Sequence, residues 1–213
     1  MLLPGRPPNS ERGRRADGPV VLLIGSREMP VQCADLLIAH GCDITAIHSP
    51  DAPLREWALA HQQLHIADFE EFRDWGEMLG CDYLFSVVNF RILPTSLIQS
   101  PAVFAINYHD SLLPKYAGSH ACAWALHNCE TIHGVSWHVM TDKVDGGDLL
   151  AQASFPIESD DTVARLHHKC RLAGLAAFRA LLHDLKAGTF TRTPQDFAHR
   201  TFYRRCTRPN VQL

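Results

Sequence analysis

The sequence predicts an α/β protein built on a doubly wound, mostly parallel sheet. Apolar, β-branched runs such as PVVLLIG (19–25) lack polar alternation, which is typical of strands buried on both faces. Amphipathic stretches of helical periodicity separate these runs in the first half of the chain. Two later segments, 133–140 and 147–157, alternate apolar and polar residues, so we expect antiparallel strands to be added at 133–157.

Local signals define the elements in chain order. Pro30 suits the first turn of a helix at 29–41, and Asp68 is a natural cap for a later helix. A long amphipathic segment at 160–188 is predicted to be a helix that ends at Gly188. The predicted strands of the first half are 19–25, 43–50, 64–68, 82–90 and 102–107, and the helices between them are 29–41, 53–63 and 68–80. This β-α repeat is Rossmann-like.

Composition divides the 213 residues into three parts. Residues 1–18 are polar, Arg-rich and without periodicity, so we expect a disordered leader. Residues 19–188 contain the predicted elements and form the main domain. Residues 189–213 are predicted to be an extension, or a linker towards a missing subdomain.

Charge is distributed unevenly along the chain, whose net charge is −3. Residues 1–18 contain four Arg against two acidic residues, and residues 190–213 contain five Arg against one. Residues 19–189 contain 11 basic and 20 acidic residues, a net charge of −9. An acidic body is a poor binder of phosphate backbones, so we do not expect a nucleic acid partner.

The seven cysteines show no C-x-x-C spacing, which argues against a disulfide framework and against a zinc knuckle. We expect each to be a small buried hydrophobe in a reducing, cytoplasmic protein, and we expect no metal cofactor. No apolar run approaches the roughly 20 residues that span a membrane, so no membrane partner is expected.

Ligands of open α/β sheets bind beyond the carboxyl ends of the strands. Four such edges are informative here: 25–29, 89–93, 107–111 and the turn at 141–148. The first edge lacks the G-x-G-x-x-G spacing of dinucleotide sites, and the chain contains neither G-x-x-x-x-G-K-[ST] nor G-x-S-x-G. These absences argue against a nicotinamide dinucleotide site, a nucleoside triphosphate cradle and an α/β-hydrolase.

The third edge combines groups suited to acyl transfer. Asn107 and His109 are two residues apart, so on an extended chain they point to the same side. An Asn amide can donate to a developing oxyanion, and a His can move a proton near neutral pH. Asp145 is a candidate to orient that His. Each residue also has an ordinary explanation, because strand-end Asn and Gly-flanked Asp are common turn formers and an isolated His is commonly a packing residue.

The other histidines carry no such pattern. We interpret His133, His138 and the pair at 167–168 as surface or packing residues.

Two sequence blocks resemble the folate-dependent formyltransferases, and in particular the catalytic domain of methionyl-tRNA formyltransferases. The segment NYHDSLLPKYAG (107–118) is similar to the N-x-H-x-S-L-L-P signature of that family. The segment GVSWHVMTDKVDGGD (134–148) resembles its G-V-T-x-H-x-M-x-x-x-x-D-x-G-D pattern. The resemblance covers residues 19–188 and implies a catalytic domain.

The resemblance also implies roles for individual residues. Asn107 would hold the formyl oxygen, His109 would transfer protons, and Asp145 would orient His109 and raise its pKa. The cofactor would be 10-formyltetrahydrofolate, with no metal. Its pterin would be held mainly by backbone groups of the residues Arg91, Ile92, Leu93, Thr141, Asp142, Lys143, Val144 and Asp145.

The acceptor amine is less constrained. The forms N-Y-H-D, Y-A-G-x-H and H-G-V-S-W-H are most similar to formylation domains of nonribosomal peptide synthetases and their stand-alone relatives, which implies an aminoacyl α-amine on a carrier protein. The candidate acceptor-binding residues are Ser26, Met29, His120 and Trp124, although the last two could equally pack a helix against the sheet. An acid in the first loop disfavours a glycinamide ribonucleotide acceptor.

Several alternatives remain open. The acceptor could be a sugar nucleotide, a free amino acid or methionyl-tRNA. An alternative of another class is a non-catalytic module for folate binding or docking, although such a module has no need to keep Asn107, His109 and Asp145 together.

Overall fold

The computed structural model describes residues 18–209. Except for Gly18, the predicted disordered leader lies outside the described residues. None of the described helices is long and apolar enough to cross a membrane.

A six-stranded sheet organises the chain, in the order β2-β1-β3-β4-β6-β7. The first four strands of this order are parallel, whereas β6 is antiparallel to both β4 and β7. The strands are β1 (Val20–Gly25), β2 (Asp43–His48), β3 (Tyr83–Val87), β4 (Phe104–His109), β6 (Ile132–Val139) and β7 (Leu149–Pro156). Two short strands, β5 (Ala117–Gly118) and β8 (Phe202–Tyr203), form a separate parallel pair. The predicted fold class is therefore correct, and the predicted strand at 64–68 is reduced to a single bridge between Ile47 and His65.

Six α-helices flank the sheet in the described part of the chain: α1 (Met29–Ala39), α2 (Ala52–Ala60), α3 (Phe69–Leu79), α4 (Thr95–Ile98), α5 (Ala121–His127) and α6 (Val163–Ala187). Their ends follow the expected signals. The Asp68 carboxylate accepts a hydrogen bond from the Glu71 N–H at the start of α3, and Pro30 lies in the first turn of α1. Gly188 ends α6 with a φ of +68°, a conformation that glycine adopts without a steric penalty.

The parallel strands are buried on both faces because the helices form two layers. Alternate residues of β1 belong to different cores: Val21 and Leu23 face one core, and Leu22 and Ile24 face the other. The first core is closed by α1, α2 and α6, and the second by α3 and α4. This arrangement leaves the carboxyl ends of β1, β3 and β4 side by side at one edge of the sheet.

Residues 189–209, here named the strap, run back over the main domain. Thr193 forms a bridge with Leu149, and β8 pairs with β5 beside the candidate site. Thr201 accepts a 2.7 Å hydrogen bond from the Tyr116 N–H through its hydroxyl. The segment that the sequence presents as an extension or linker therefore contacts the main domain at separate points, although most of its residues are exposed.

Candidate active site

The end of β4 carries two of the three predicted catalytic side chains, Asn107 and His109. The antiparallel register between β4 and β6 places Asn107 opposite His138. Directly opposed residues of such a pair are in side-chain contact, and Asn107 Nδ2 lies 3.2 Å from His138 Nε2. The register therefore adds a second imidazole to the predicted pair.

Asp145 reaches the same place from the turn between β6 and β7. Its Oδ2 lies 3.7 Å from His109 Nδ1, and its Oδ1 lies 3.5 Å from His138 Nε2. Oδ2 also accepts a 2.8 Å hydrogen bond from the Gly118 N–H. The structure thus brings Asn107, His109 and Asp145 together although 38 residues separate the first from the last.

Burial and charge act against each other at this site. Burial disfavours a charged His109, but the carboxylates of Asp145 and Asp110 outweigh it, so the pKa of His109 is raised. Burial also opposes ionisation of Asp145, yet His109, His138 and the Gly118 N–H hold the pKa of its carboxyl well below the usual range. These contacts favour an ionised Asp145 beside a readily protonated imidazole.

The neighbours of His109 favour its charged form. His109 Nε2 lies 2.8 Å from the Tyr116 carbonyl oxygen, which can only accept, so Nε2 donates a hydrogen bond to it. Nδ1 lies 3.7 Å from Asp145 Oδ2, too far for a hydrogen bond but close enough for the carboxylate to attract a positive charge on the ring.

His138 lies between Asn107 and Asp145. Its Nδ1 lies 2.9 Å from the Val139 carbonyl oxygen, which can only accept, so Nδ1 donates there. Its Nε2 lies 3.2 Å from Asn107 Nδ2 and 3.5 Å from Asp145 Oδ1. An Asn amide has two N–H groups, so the second N–H of Asn107 remains for another acceptor.

The strap holds the Asp145 turn from behind. The Gln195 side chain, 9% exposed, donates to the carbonyls of Asp145 at 3.0 Å and Gly147 at 2.7 Å. Arg200 donates to the carbonyls of Asp145 at 3.1 Å and Val144 at 2.7 Å. Asp145 has a φ of +49°, a left-handed conformation that non-glycine residues adopt infrequently. Four hydrogen bonds therefore hold the turn that carries the carboxylate.

His138 is buried and not on the surface, and its contacts are polar. Its side chain is 2% exposed and contacts both Asn107 and Asp145. It was missed because a His at an alternating position of a strand resembles a packing residue. A signal did exist, since the family pattern quoted above contains a His at this position. No sequence signal pointed to Gln195 or Arg200.

The predicted folate loop after β3 has free backbone groups, but not at Arg91. The Asn89 side chain occupies both backbone groups of Arg91, accepting from its N–H at 3.1 Å and donating to its carbonyl at 3.0 Å. Within residues 18–209 the backbones of Ile92 and Leu93 have no hydrogen-bond partner. The available backbone at this edge is therefore that of Ile92 and Leu93.

The predicted folate loop after β6 is exposed along residues 141–144. Thr141 Oγ1 donates to the Lys143 carbonyl at 3.2 Å and accepts from its N–H at 3.3 Å. Gly146 N–H also donates to the Lys143 carbonyl, at 3.0 Å. The backbone of Asp142 has no partner in the described part of the chain. In this loop too, only some of the predicted residues have backbone groups without a hydrogen-bond partner.

The first loop does not offer the predicted side chains to solvent. Ser26 is 6% exposed and Met29 is 3% exposed, and Met29 packs in the core beneath α6. The position of Met29 therefore supports packing rather than substrate contact. The exposed residues of this loop are Arg27 and Glu28. The Arg27 N–H donates to Asp51 at 2.8 Å, and its guanidinium lies 5.3 Å from the centre of the Phe90 ring.

The two predicted acceptor residues on the other side lie under the strap. The Trp124 ring stacks on Tyr203 with centroids 4.2 Å apart, and Tyr203 stacks on Tyr116 at 5.8 Å. His120 Nε2 lies 3.2 Å from the Arg205 carbonyl oxygen. Both residues therefore pack against the strap, and an acceptor that reached them would have to pass beside Tyr203.

Comparison with known proteins decides the family. Residues 41–182 match the family described as formyl transferase. The chain is 38% identical over 208 residues to the methionyl-tRNA formyltransferase of Listeria monocytogenes, a match that covers 91% of this chain and 67% of that protein. The chain belongs to the formyl transferase family. The predicted family and the predicted class of enzyme, a formyltransferase, are confirmed.

A further sequence relative and a solved structure agree with this match. The methionyl-tRNA formyltransferase of Ruminiclostridium cellulolyticum is 30% identical over 194 residues, which cover 84% of this chain and 62% of that protein. The N-formyltransferase of Helicobacter canadensis, solved with folinic acid and dTDP-3-aminofucose, has a TM-score of 0.74 at 20% identity and covers 87% of this chain and 70% of that one. This structure confirms the predicted Rossmann-like fold. The chain spans about two thirds of the length of the curated relatives described here.

Proposed function

We propose that the chain transfers the formyl group of 10-formyltetrahydrofolate to the α-amine of an aminoacyl group held on a carrier protein. The observation that carries the proposal is the position of the Asp145 carboxylate, 3.7 Å from His109 and 3.5 Å from His138. Together with Asn107, this site contains a proton-transfer group, a carboxylate that orients it and an N–H donor for an oxyanion. Membership of the formyl transferase family supports formyl as the transferred group.

The reaction needs no protein nucleophile. The neutral amine of the acceptor attacks the formyl carbon, and the carbonyl oxygen becomes an oxyanion that accepts the second N–H of Asn107. The bond between the formyl carbon and N10 of the folate then breaks. The amine loses one proton and N10 gains one, and His109 carries out this exchange while Asp145 stabilises its imidazolium form.

Catalysis requires His109 to change one partner. Its Nε2 donates to the Tyr116 carbonyl, whereas Nδ1 faces Asp145. Nε2 must therefore exchange the Tyr116 carbonyl for the reacting atoms when the substrates bind. Asp145 remains on the far side of the ring during this exchange and keeps its orienting role.

The folate would be held by backbone groups at two neighbouring strand ends. The unpaired backbone groups of Ile92, Leu93 and Asp142 offer donors and acceptors of the kind that a pterin edge requires. Arg91 is better suited to shaping the loop, because its backbone is occupied by Asn89 and its guanidinium lies 4.2 Å from the centre of the Phe69 ring. The exposed Ile92 side chain would add apolar contact with the cofactor.

Two kinds of acceptor are supported by different observations. The curated relatives are methionyl-tRNA formyltransferases, which favours an aminoacyl-tRNA. The net charge of −9 between residues 19 and 189 favours a carrier protein, because a tRNA backbone binds basic surfaces. Both acceptors present the α-amine of an amino acid whose carboxyl group is bound, as a thioester on the carrier protein or as an ester on tRNA, so the chemistry at Asn107 and His109 is the same for either.

A turnover assay with 10-formyltetrahydrofolate tests the proposal. The acceptors are an aminoacyl thioester on a carrier protein, methionyl-tRNA and a dTDP-amino sugar, each followed by mass spectrometry. We expect the carrier-bound amine to be formylated fastest. We expect His109→Ala to lower the rate by about 10²–10⁴-fold. His183→Ala, an exposed histidine on α6, is the matched control and should retain the parent rate.

Each outcome has a defined meaning. A preference for methionyl-tRNA would overturn the carrier-protein acceptor and keep the chemistry. Folate binding without turnover on any acceptor would favour the non-catalytic module and refute the proposed reaction.

A further inference from the structure

A second cluster of reactive side chains lies behind the candidate active site, and the proposed reaction does not use it. Cys122 on α5, His133 on β6 and Cys170 on α6 place one ligand atom each within 4.8 Å of the others. All three residues are 2% exposed or less. Three separate elements therefore converge on one small buried volume.

The imidazole of His133 is incompletely satisfied in this cluster. Its Nε2 is buried and has no hydrogen-bond partner among the described residues. A buried ring nitrogen without a partner is uncommon in native proteins. His133 also places a ring nitrogen within 4.8 Å of both thiols. An imidazole that lacks a protein partner and lies beside two thiols can serve as a metal ligand.

The two sulfur atoms have the spacing of shared ligands. Cys122 Sγ and Cys170 Sγ are 3.6 Å apart, far beyond the roughly 2.05 Å of a disulfide bond. Two thiolates bound at about 2.3 Å to one tetrahedral zinc ion would lie about 3.8 Å apart. The observed separation therefore needs little adjustment to accept a metal ion.

The solvent side of the cluster is suited to a cation. Asp110 Oδ2 and His167 Nδ1 each lie 3.5 Å from Cys122 Sγ. The carboxylate contributes negative charge beside the thiols, and the His167 side chain, 47% exposed, reaches solvent. This edge gives a metal ion a path to the buried ligands and leaves a fourth coordination position on the same side.

We propose that Cys122, His133 and Cys170 bind a divalent metal ion of the zinc class at a site separate from the formyl-transfer centre. Two thiols and one imidazole are a ligand set that zinc accepts, with one position left open. Binding forms two metal–sulfur bonds and one metal–nitrogen bond, and the two thiols release their protons to solvent. The ion would tie α5 and α6 to β6, and so fix the helix that follows the catalytic segment 107–118.

The absence of a C-x-x-C motif does not exclude such a site. The three ligands are 11 and 37 residues apart in the sequence, and only the fold brings them together. Cys122 and Cys170 are buried, as expected of each cysteine, whereas Cys129 and Cys206 are exposed.

Metal content tests the proposal without reference to activity. The full chain is purified under reducing conditions without a chelator, and its zinc content is measured by elemental analysis. We expect about one zinc ion per chain, and its replacement by Co²⁺ should give the absorption of a tetrahedral cobalt–thiolate centre. The double variant Cys122→Ser, Cys170→Ser should lose both signals. The control variant Cys129→Ser, Cys206→Ser changes two exposed cysteines and should keep both.

Any of three results would overturn the site. The first is substoichiometric zinc in the wild-type chain after incubation with Zn²⁺, and the second is a Cys122/Cys170 disulfide in the reduced protein. The third is equal Co²⁺ absorption in the double variant and the control. If the double variant does not fold, the single variant His133→Asn provides the comparison, because it keeps both thiols. We expect it to weaken Zn²⁺ affinity by roughly 10-fold or more, and unchanged affinity would refute the ligand assignment.

Discussion

Replacement of Gln195 by Met tests whether the strap fixes the turn that carries Asp145. Methionine has a similar volume, so the change removes hydrogen bonds without opening a large cavity. The Asp145 carbonyl would lose one of two donors and keep Arg200, whereas the Gly147 carbonyl would lose its side-chain donor at 2.7 Å. The two carbonyls are therefore affected to different degrees.

The magnitude follows from this difference. Loss of the bond to the Asp145 carbonyl costs about 1 kcal/mol, and leaving the Gly147 carbonyl unpaired costs about 1–3 kcal/mol. Gln195 Oε1 is itself buried without a partner, so its removal returns about 1 kcal/mol. We expect Gln195→Met to lower the free energy of unfolding by about 2 kcal/mol, or Tm by about 4–8 °C for a chain of this size.

Urea and thermal unfolding followed by circular dichroism measure this effect. Gln99→Met is the matched control, because Gln99 is exposed and its side chain makes no hydrogen bond within the described structure. Amide exchange adds a local measurement: the Gly118 N–H, which donates to Asp145, should exchange faster in Gln195→Met. If Gln195→Met and Gln99→Met unfold at the same urea concentration and Gly118 exchange is unchanged, the strap does not hold the turn.

Three other changes probe the site. Asp145→Asn should destabilise the protein most at neutral pH. The stability that ionised Asp145 contributes is full above the unfolded pKa of 3.8 and is lost as pH falls through the lower folded pKa. Urea midpoints across a pH series measure this, and a difference that does not depend on pH would contradict it. The same variant should lower the pKa of His109 in an NMR titration, because burial then acts with less opposition. His138→Gln, which can still hydrogen-bond with Asn107, should retain more kcat than His138→Leu. Steady-state kinetics should show a loss of about 10²-fold for His138→Leu, and equal rates would remove His138 from the mechanism. Gly118→Ala should lower the free energy of unfolding, measured in urea, by about 2 kcal/mol or more. The reason is that Gly118 has a φ of +94° and that a Cβ there would lie 2.2 Å from the Tyr203 carbonyl oxygen. Wild-type stability in this variant would show that β5 and β8 can separate without cost.

The fold was predictable because its signals are local. Apolar runs marked β1, β3 and β4, and caps at Asp68 and Gly188 marked helix ends. The strand predicted around His65 became a single bridge, because a run this short at the sheet edge depends on its neighbours rather than on its own residues.

The site was predictable only in part, for a physical reason. Asn107, His109 and Asp145 stand at strand ends or in turns, where polar residues in unusual groupings are visible in the sequence. His138 depends on the register of an antiparallel pair, and Gln195 depends on the path of the strap across the domain. Cys122 and Cys170 meet only because α5 and α6 pack together. Contacts of this kind are properties of the tertiary structure, and no single segment encodes them.

The two parts of the site differ in local stability. Asn107 and His138 belong to β4 and β6, each of which is paired with a neighbouring strand on both sides. The Asp145 turn relies on four hydrogen bonds from a peripheral segment, and such segments open at a lower free energy than a central sheet. On warming, the carboxylate should therefore leave its two imidazoles while the sheet is still intact. Heat inactivation of this protein should precede its melting, and ligands that bridge the turn to the ladder should bring the two temperatures together.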